Sequence, residues 1–219
     1  MPHAASPYAG VLLASASPRR AALLRQVGIP FEVLATQADE AFPEGMAPAA
    51  AARRVAERKA EAAGAARQGD AGVRWSAVLG ADTIVVVAGE VLGKPRDADE
   101  ARHMLKRLSN RSHEVITGVA LLWSRPERRL ESWSERTIVT FRAVSDEEID
   151  AYVQSGGPLD KAGAYGIQEQ AGAFVERLDG CCFNVMGLPL AKLTQRLALA
   201  RNSARAHREA LDSPFPDCY

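Results

Sequence analysis

The sequence predicts an α/β fold in which helices flank a mixed sheet. Three observations carry this. Strand-like and helix-like segments alternate along the chain, and two places where strands follow one another directly read as hairpins. The chain has 219 residues, 47% hydrophobic and 25% charged, an ordinary globular composition that excludes a wholly disordered polypeptide. The segment from residue 11 to 28 reads as strand, tight turn and helix.

The elements follow in order. Residues 1–10 form a loose leader. VLLA (11–14) is a short apolar strand, and Ser17 then caps a helix with Pro18 in its first turn and Gly28 as its stop. FEVLAT (31–36) is a second strand. Residues 47–66 hold eleven alanines, which favour a helix, with a low-complexity tract as the alternative. AVLGADTIVVV (77–87) is the most β-like stretch, and VAGEVLGKP turns it back on itself. Asp97 and Glu100 make a capping box for a helix through about Leu108. HEVITGVALLW (113–123) and SWSERTIVTFR (132–142) form a meander. Ser145 and Glu148 cap a helix that ends at Gly156 and Gly157. A long glycine-containing loop over 157–170 leads to a last strand over 171–178, and a helix from about Leu190 to Ala200 closes a single domain of residues 11–200. Residues 201–219 read as a frayed polar tail.

Lysine plus arginine number 27 and aspartate plus glutamate 27, so the formal charge is zero. That argues against a non-specific nucleic-acid binder or a membrane-surface binder, each of which needs a strong positive field. A local basic cavity stays open. No apolar run reaches the roughly 18 residues of a membrane span, and no signal-peptide pattern is visible. Cys181, Cys182 and Cys218 are odd in number, with two adjacent, a poor disulfide framework that points to the reducing cytoplasm.

The chemistry concentrates in a few places. Ser15, Ser17, Arg19 and Arg20 surround a helix N-terminus. Two arginines there oppose the macrodipole at a cost of a few tenths to about 1 kcal/mol each, unless a bound anion reverses the sign. The arrangement is either a phosphate grip or two solvated arginines. Asp82 is a carboxylate inside a very apolar strand, costly without a partner or a metal. Such a position is either a functional site or an aspartate paired with a structural arginine. If the hairpin turns through the three residues Ala88-Gly89-Glu90, Lys94 lies opposite Ile84 and shares a face with Asp82; a two-residue turn would separate them. Asp39 and Glu40 form either a solvated acidic loop or, with Asp82, oxygen ligands for Mg²⁺. Lys59 sits on the alanine-rich helix. In LDKAGAYGIQ (159–168), Gly163 and Gly166 allow close backbone approach to a ligand, and Asp160, Lys161 and Gln168 are polar. Gln168 both donates and accepts, as base-edge recognition requires. Tyr165 reads as packing and Asn184 as a cap or a backbone partner. The patterns GxxxxGK[ST] and GxGxxG are absent, as is any Ser-His-Asp or Cys-His arrangement.

LLASASPRRAALLRQVGIPFEV, LGADTIVVVAGEVLGKPRDADEARHMLKRLSNRSHEVITGVAL, LDKAGAYGIQ and NVMGLPL resemble the Maf family of nucleoside triphosphate pyrophosphatases, from about Val11 to Leu199. The resemblance implies a twisted mixed sheet related to the inosine triphosphatases, two lobes around a deep cleft, and a homodimer. It implies metal-assisted hydrolysis (Mg²⁺ or Mn²⁺) of a nucleoside triphosphate to the monophosphate and pyrophosphate. ADTIVV with KAGAYGIQ is similar to the dTTP and UTP branch rather than the 7-methyl-GTP branch. The family pattern puts the proton acceptor on Asp82 and pyrimidine specificity on Arg19, Thr83 and Gln168. Phosphate and metal positions fall on Ser15, Arg20, Glu40, Lys59, Lys94 and Lys161, with Glu40 and Asp82 as the metal pair. Two positions depart from the pattern: Asn110 and Glu169 stand where glycine is common. The rival expectations are a 7-methyl-GTP or inosine-type triphosphate pyrophosphatase, and a non-catalytic nucleotide-binding regulator of cell division.

Overall fold

The structure, a computed structural model, describes residues 6–42, 45–67, 75–124 and 127–212, with 203–212 described as backbone. Most of the leader and the last seven residues of the tail lie outside the described residues. Among the described residues seven strands form one sheet: β1 (Val11–Leu13), β2 (Phe31–Val33), β3 (Ala77–Val87), β4 (Glu90–Leu92), β5 (Ser112–Trp123), β6 (Arg129–Phe141) and β7 (Val175–Asp179). The order is β2-β1-β3-β5-β6-β7, with β4 also on β3. β1 runs parallel to β2 and β3, and every other pair is antiparallel, so the sheet is mixed as expected. Six α-helices among the described residues accompany it: α1 (Pro18–Gln26), α2 (Pro48–Ala66), α3 (Ala98–Leu108), α4 (Asp146–Gln154), α5 (Cys182–Met186) and α6 (Leu190–Asp212). Among the described residues, no helix is long and apolar enough to cross a membrane.

Alternation along β3 and β5 decides what each face holds. On one face β3 presents Gly80, Asp82, Ile84 and Val86, and β5 presents Ile116, Gly118, Ala120 and Leu122. The alanine row of α2 covers this face, with Ala52 packed on Ile84 and Ile116, and Ala56 and Ala60 on Ala120 and Leu122. The helix lies unusually close. A Cβ on Gly80 would stand 2.1 Å from the Ala56 carbonyl oxygen, and one on Gly118 would stand 2.2 Å from the backbone of Ala52. Gly118 pairs directly with Asp82, so the two glycines that admit α2 flank the acid.

The opposite face divides into two apolar cores. Leu79, Ala81, Val119 and Leu121 pack with α1 and α6. Val85, Val87 and Val115 pack with α3, α4, Tyr165 and Phe174. Between them the register places Thr83 directly against Thr117, a polar seam across the sheet. The two lobes of the resemblance appear here as two cores on one sheet.

Several local expectations are revised. The β3–β4 hairpin has a two-residue turn, Ala88-Gly89, with Val87 paired to Glu90 and φ of 51° and 82° at the turn residues. That is the mirror-image turn that strand twist favours. Pairing stops at Val85 and Leu92, so Lys94 belongs to no ladder and its position is not governed by the register. The Glu100 carboxylate accepts from the Arg96 backbone N–H at 2.7 Å, so only half of the expected capping box forms. Residues 170–174 make a 3₁₀ turn before β7 begins at Val175. The short helix α5 was not foreseen, and α6 runs on to Asp212. Asn110 adopts φ of 55°, a left-handed conformation that asparagine tolerates better than most side chains; it keeps the turn that glycine would otherwise supply.

His113 lies in the second core, 2% exposed, with Nε2 2.8 Å from the Tyr165 hydroxyl and Nδ1 without a partner. Burial pushes its pKa down from 6.5 to about 4. The folded chain therefore keeps the ring neutral while the unfolded chain protonates it below pH 6.5. Stability falls as pH drops from 6.5 towards 4, by up to about 3 kcal/mol. Urea titrations across this range should show that loss, and His113→Gln should flatten it relative to the parent. Gly118→Ala should lower the urea midpoint by the equivalent of about 2 kcal/mol or more at unchanged slope, because the backbone of α2 cannot yield.

Candidate active site

The edge of β3 explains where the site lies. β1 pairs with β3 only as far as Leu79, and β4 begins at Val85. Residues 80–84 therefore face a notch on that side, and Asp82 sits in the middle of it. The N-terminus of α1, the 160–168 loop and α5 surround the notch and close a cavity of about 320 Å³, in the range of small-molecule sites. Every residue that the family pattern marks lines it: Ser15, Arg19, Arg20, Glu40, Lys59, Asp82, Thr83, Lys94, Lys161 and Gln168. Ser17 and Asp160 do so too. Five cations and three carboxylates line this space, a positive surplus in a chain with no net charge. Such a site suits a polyanion.

On the α2 face, Lys59 is the centre. Its ammonium stands 2.8 Å from Asp82 Oδ1 and 2.8 Å from Glu40 Oε1, and its side chain is 9% exposed. Burial works against the charge of Glu40, yet the hydrogen bond and charge of Lys59, with Lys94 and Arg20, hold its carboxyl below the usual range. Asp39 turns the other way. Its carboxylate accepts from the Ala41 backbone N–H and pairs with Arg58 at 3.4 Å, outside the cavity lining. Of the two adjacent acids, only Glu40 belongs to the site.

On the opposite face, Arg20 is 8% exposed and held through three of its five N–H groups. Nε donates to the Gly187 carbonyl at 3.1 Å, Nη1 to Ser15 Oγ at 2.9 Å and Nη2 to Thr83 Oγ1 at 3.1 Å. Burial lowers its pKa, opposed by the nearby charge of Asp82. The seam fixes the proton directions. Thr117 donates its one proton to the Asn184 carbonyl at 2.9 Å, so the 3.0 Å contact between Thr117 and Thr83 is donated by Thr83. Thr83 is thus left as an acceptor for Arg20. Asn184 is fully buried and donates to the Val115 carbonyl at 3.1 Å and to Thr137 Oγ1 at 3.0 Å, a structural role as expected. Sequence reasoning missed the part of α5 and Gly187 in this anchoring. The clue was an asparagine three residues before a glycine, within an apolar stretch.

Arg19 stays at the rim. It pairs with Asp160 at 2.6 Å while its helix N-terminus is capped by Ser17. In the 157–169 loop the glycines serve the protein's own packing. A Cβ on Gly163 would strike Val85, and one on Gly166 would strike Lys161 and Gln168. Tyr165 packs edge-on to Phe141 and His113, as expected of a core aromatic. Thr36 and Met186 also line the cavity and were not anticipated.

The family model described as Maf-like protein matches residues 10–200. A dTTP/UTP pyrophosphatase of Symbiobacterium thermophilum is 51% identical over 187 residues, 85% of this chain and 92% of that protein. Proteins of the same name from Geobacter sulfurreducens and Salinibacter ruber are 49% and 48% identical, each over 85% of this chain and over 94% and 89% of their own lengths. Among solved structures, a dITP/XTP pyrophosphatase from Mycobacterium abscessus is similar at 20% identity and a TM-score of 0.36, over 62% of this chain and 75% of that one, a distant likeness that says nothing of this chain's chemistry. With its family model spanning the whole sheet and its relatives matched over most of both chains, this chain belongs to the Maf-like protein family.

Proposed function

We propose that this chain hydrolyses dTTP and UTP to the monophosphate and pyrophosphate. The observation that carries the reading is the joining of Asp82, Glu40 and Lys59 to the buried Arg20 in one positively biased cavity. The names of the relatives supply the substrates.

Asp82 accepts the proton of the water that attacks the α-phosphorus, while the bond to the bridging oxygen breaks and pyrophosphate leaves. Lys59 holds Asp82 and Glu40 towards the same point. Arg20, fixed by Ser15 and Thr83, meets the phosphates as a preoriented guanidinium, and Arg19 and Lys94 add charge at the mouth; such fixed cations stabilise charge that develops on the phosphoryl oxygens. Glu40 and Asp82 are hard oxygen donors lining the cavity, and they are the residues that would hold a divalent cation of the Mg²⁺ or Mn²⁺ kind. When bound, that ion supplies charge neutralisation and a more acidic water. Gln168 and Arg19, at the loop side, read the pyrimidine, and Thr83 contributes through the placement of Arg20. The proposed setting is the cytoplasm, a reducing compartment compatible with free thiols at Cys181 and Cys182. A homodimer is part of the same reading, carried by the resemblance.

A panel of nucleoside triphosphates with Mg²⁺, read by pyrophosphate release, should show dTTP and UTP preferred; preference for 7-methyl-GTP or inosine triphosphate, or silence throughout, would overturn the reading. Asp82→Asn, which keeps the shape and one acceptor for Lys59, should lower kcat by 10² to 10⁴, the range of a lost general base, with the urea midpoint little changed.

A further inference from the structure

The loop side of the cavity contains a group that the reaction scheme leaves unused. Lys161 is 6% exposed and its ammonium has three protons. They meet three acceptors: the Gly157 carbonyl at 2.5 Å, Asp160 Oδ1 at 2.7 Å and Glu169 Oε2 at 3.0 Å. Lys161 is therefore fully used within the loop, and what it fixes is the Glu169 carboxylate. The other oxygen of that carboxylate, Oε1, lies 3.2 Å from Gln168 Nε2.

A carboxylate oxygen accepts only, so the amide of Gln168 must turn its NH₂ towards Glu169 and its carbonyl away. The distinction matters at a base edge. Uracil and thymine present a carbonyl acceptor beside an N–H donor, whereas cytosine presents an amino donor beside a bare acceptor nitrogen. A glutamine free to flip satisfies either edge, with N–H and C=O exchanged. A glutamine held in one orientation satisfies one of them.

We infer that Glu169, set by Lys161, is a specificity-determining positioning residue: it locks the Gln168 amide in a single orientation and so lets the cavity separate uracil and thymine from cytosine. The inference rests on the pyrimidine reading above, since it concerns how that site tells one pyrimidine from another. Glu169 itself does not line the cavity and acts through Gln168.

The test compares kcat/KM for UTP and CTP in the wild type, Glu169→Gln, Glu169→Ala, Gln168→Ala and the Glu169→Ala/Gln168→Ala double variant. Glu169→Gln is isosteric. Its one amide oxygen stays with Lys161 and its NH₂ then faces Gln168, which must flip to accept from it. The UTP:CTP ratio should fall on the order of tenfold or more, with CTP gaining, a change worth about 1.4 kcal/mol. Glu169→Ala should lower the ratio through a freely rotating amide. In the Gln168→Ala background, removing Glu169 should change the ratio no further. A Glu169→Gln ratio within twofold of wild type, a proportional loss on both substrates, or an undiminished effect of Glu169→Ala without Gln168 would each overturn the inference. A wild type inactive on every pyrimidine triphosphate would instead sink the reading of function on which it stands.

Discussion

The contact on which the site depends is the ammonium of Lys59 between two carboxylates. Asp82 is enclosed by an apolar strand and a helix backbone, with a side chain only 13% exposed. An unpaired carboxylate there would carry a large desolvation penalty, so losing Lys59 costs more than losing the charge of Asp82, which leaves Lys59 still paired with Glu40. Lys59 meets that need because α2 lies against the sheet, and α2 lies there because Gly80 and Gly118 present no Cβ. The alanine face of α2 follows from the same constraint, since larger side chains at Ala52 and Ala56 would lift the helix and Lys59 with it. Composition, packing and chemistry thus share one cause.

The second constraint is the seam. Two apolar cores on one sheet face leave Thr83 and Thr117 between them, and α5 supplies the carbonyl that orders their protons. Arg20 enters at this seam and is held on all three sides of its guanidinium. A charged side chain held this firmly loses little further freedom when a phosphate arrives, so less binding energy is spent on ordering it. The arrangement also explains how the cavity draws on both sheet faces. Neighbouring residues Asp82 and Thr83 point to opposite faces, and the missing strand pairing over residues 80–84 opens both to the same notch.

Much of this was legible in the sequence. Strong local signals held: the Ser17 cap with Pro18, the alanine tract, the Ser145 and Glu148 box, and the apolar run around Asp82. The residues later found around the cavity were recognisable because unpaired charge in an apolar setting, arginines at a helix N-terminus and polar groups in a glycine-containing loop each carry a physical tension. What failed depended on non-local or subtle geometry. The hairpin loop length turned on a one-residue choice of register. Lys94 reaches the cavity because β4 ends before it, not by sharing a face with Asp82. Asp39 and Glu40 are adjacent and equally acidic, and only the position of Arg58 separates their roles. The short α5 has too few residues to show a helical period.

Three of the cavity's five cations have carboxylate partners within the protein, and the positive surplus remains. Lys59 is held by Glu40 and Asp82, Arg19 by Asp160, and Lys161 by Asp160 and Glu169. These pairings differ in how readily a polyanion displaces them. Arg19 is 24% exposed and its partner Asp160 59% exposed, so that pair is screened and weak. Lys59 and Lys161 are almost fully enclosed and each has two carboxylate partners, so they exchange less readily than Arg19. A triphosphate entering the mouth therefore finds Arg19 the easiest cation to recruit, while the inner pairs keep their geometry. The rim adapts to the ligand and the interior stays fixed, which places charge recruitment and positioning in separate parts of one cavity.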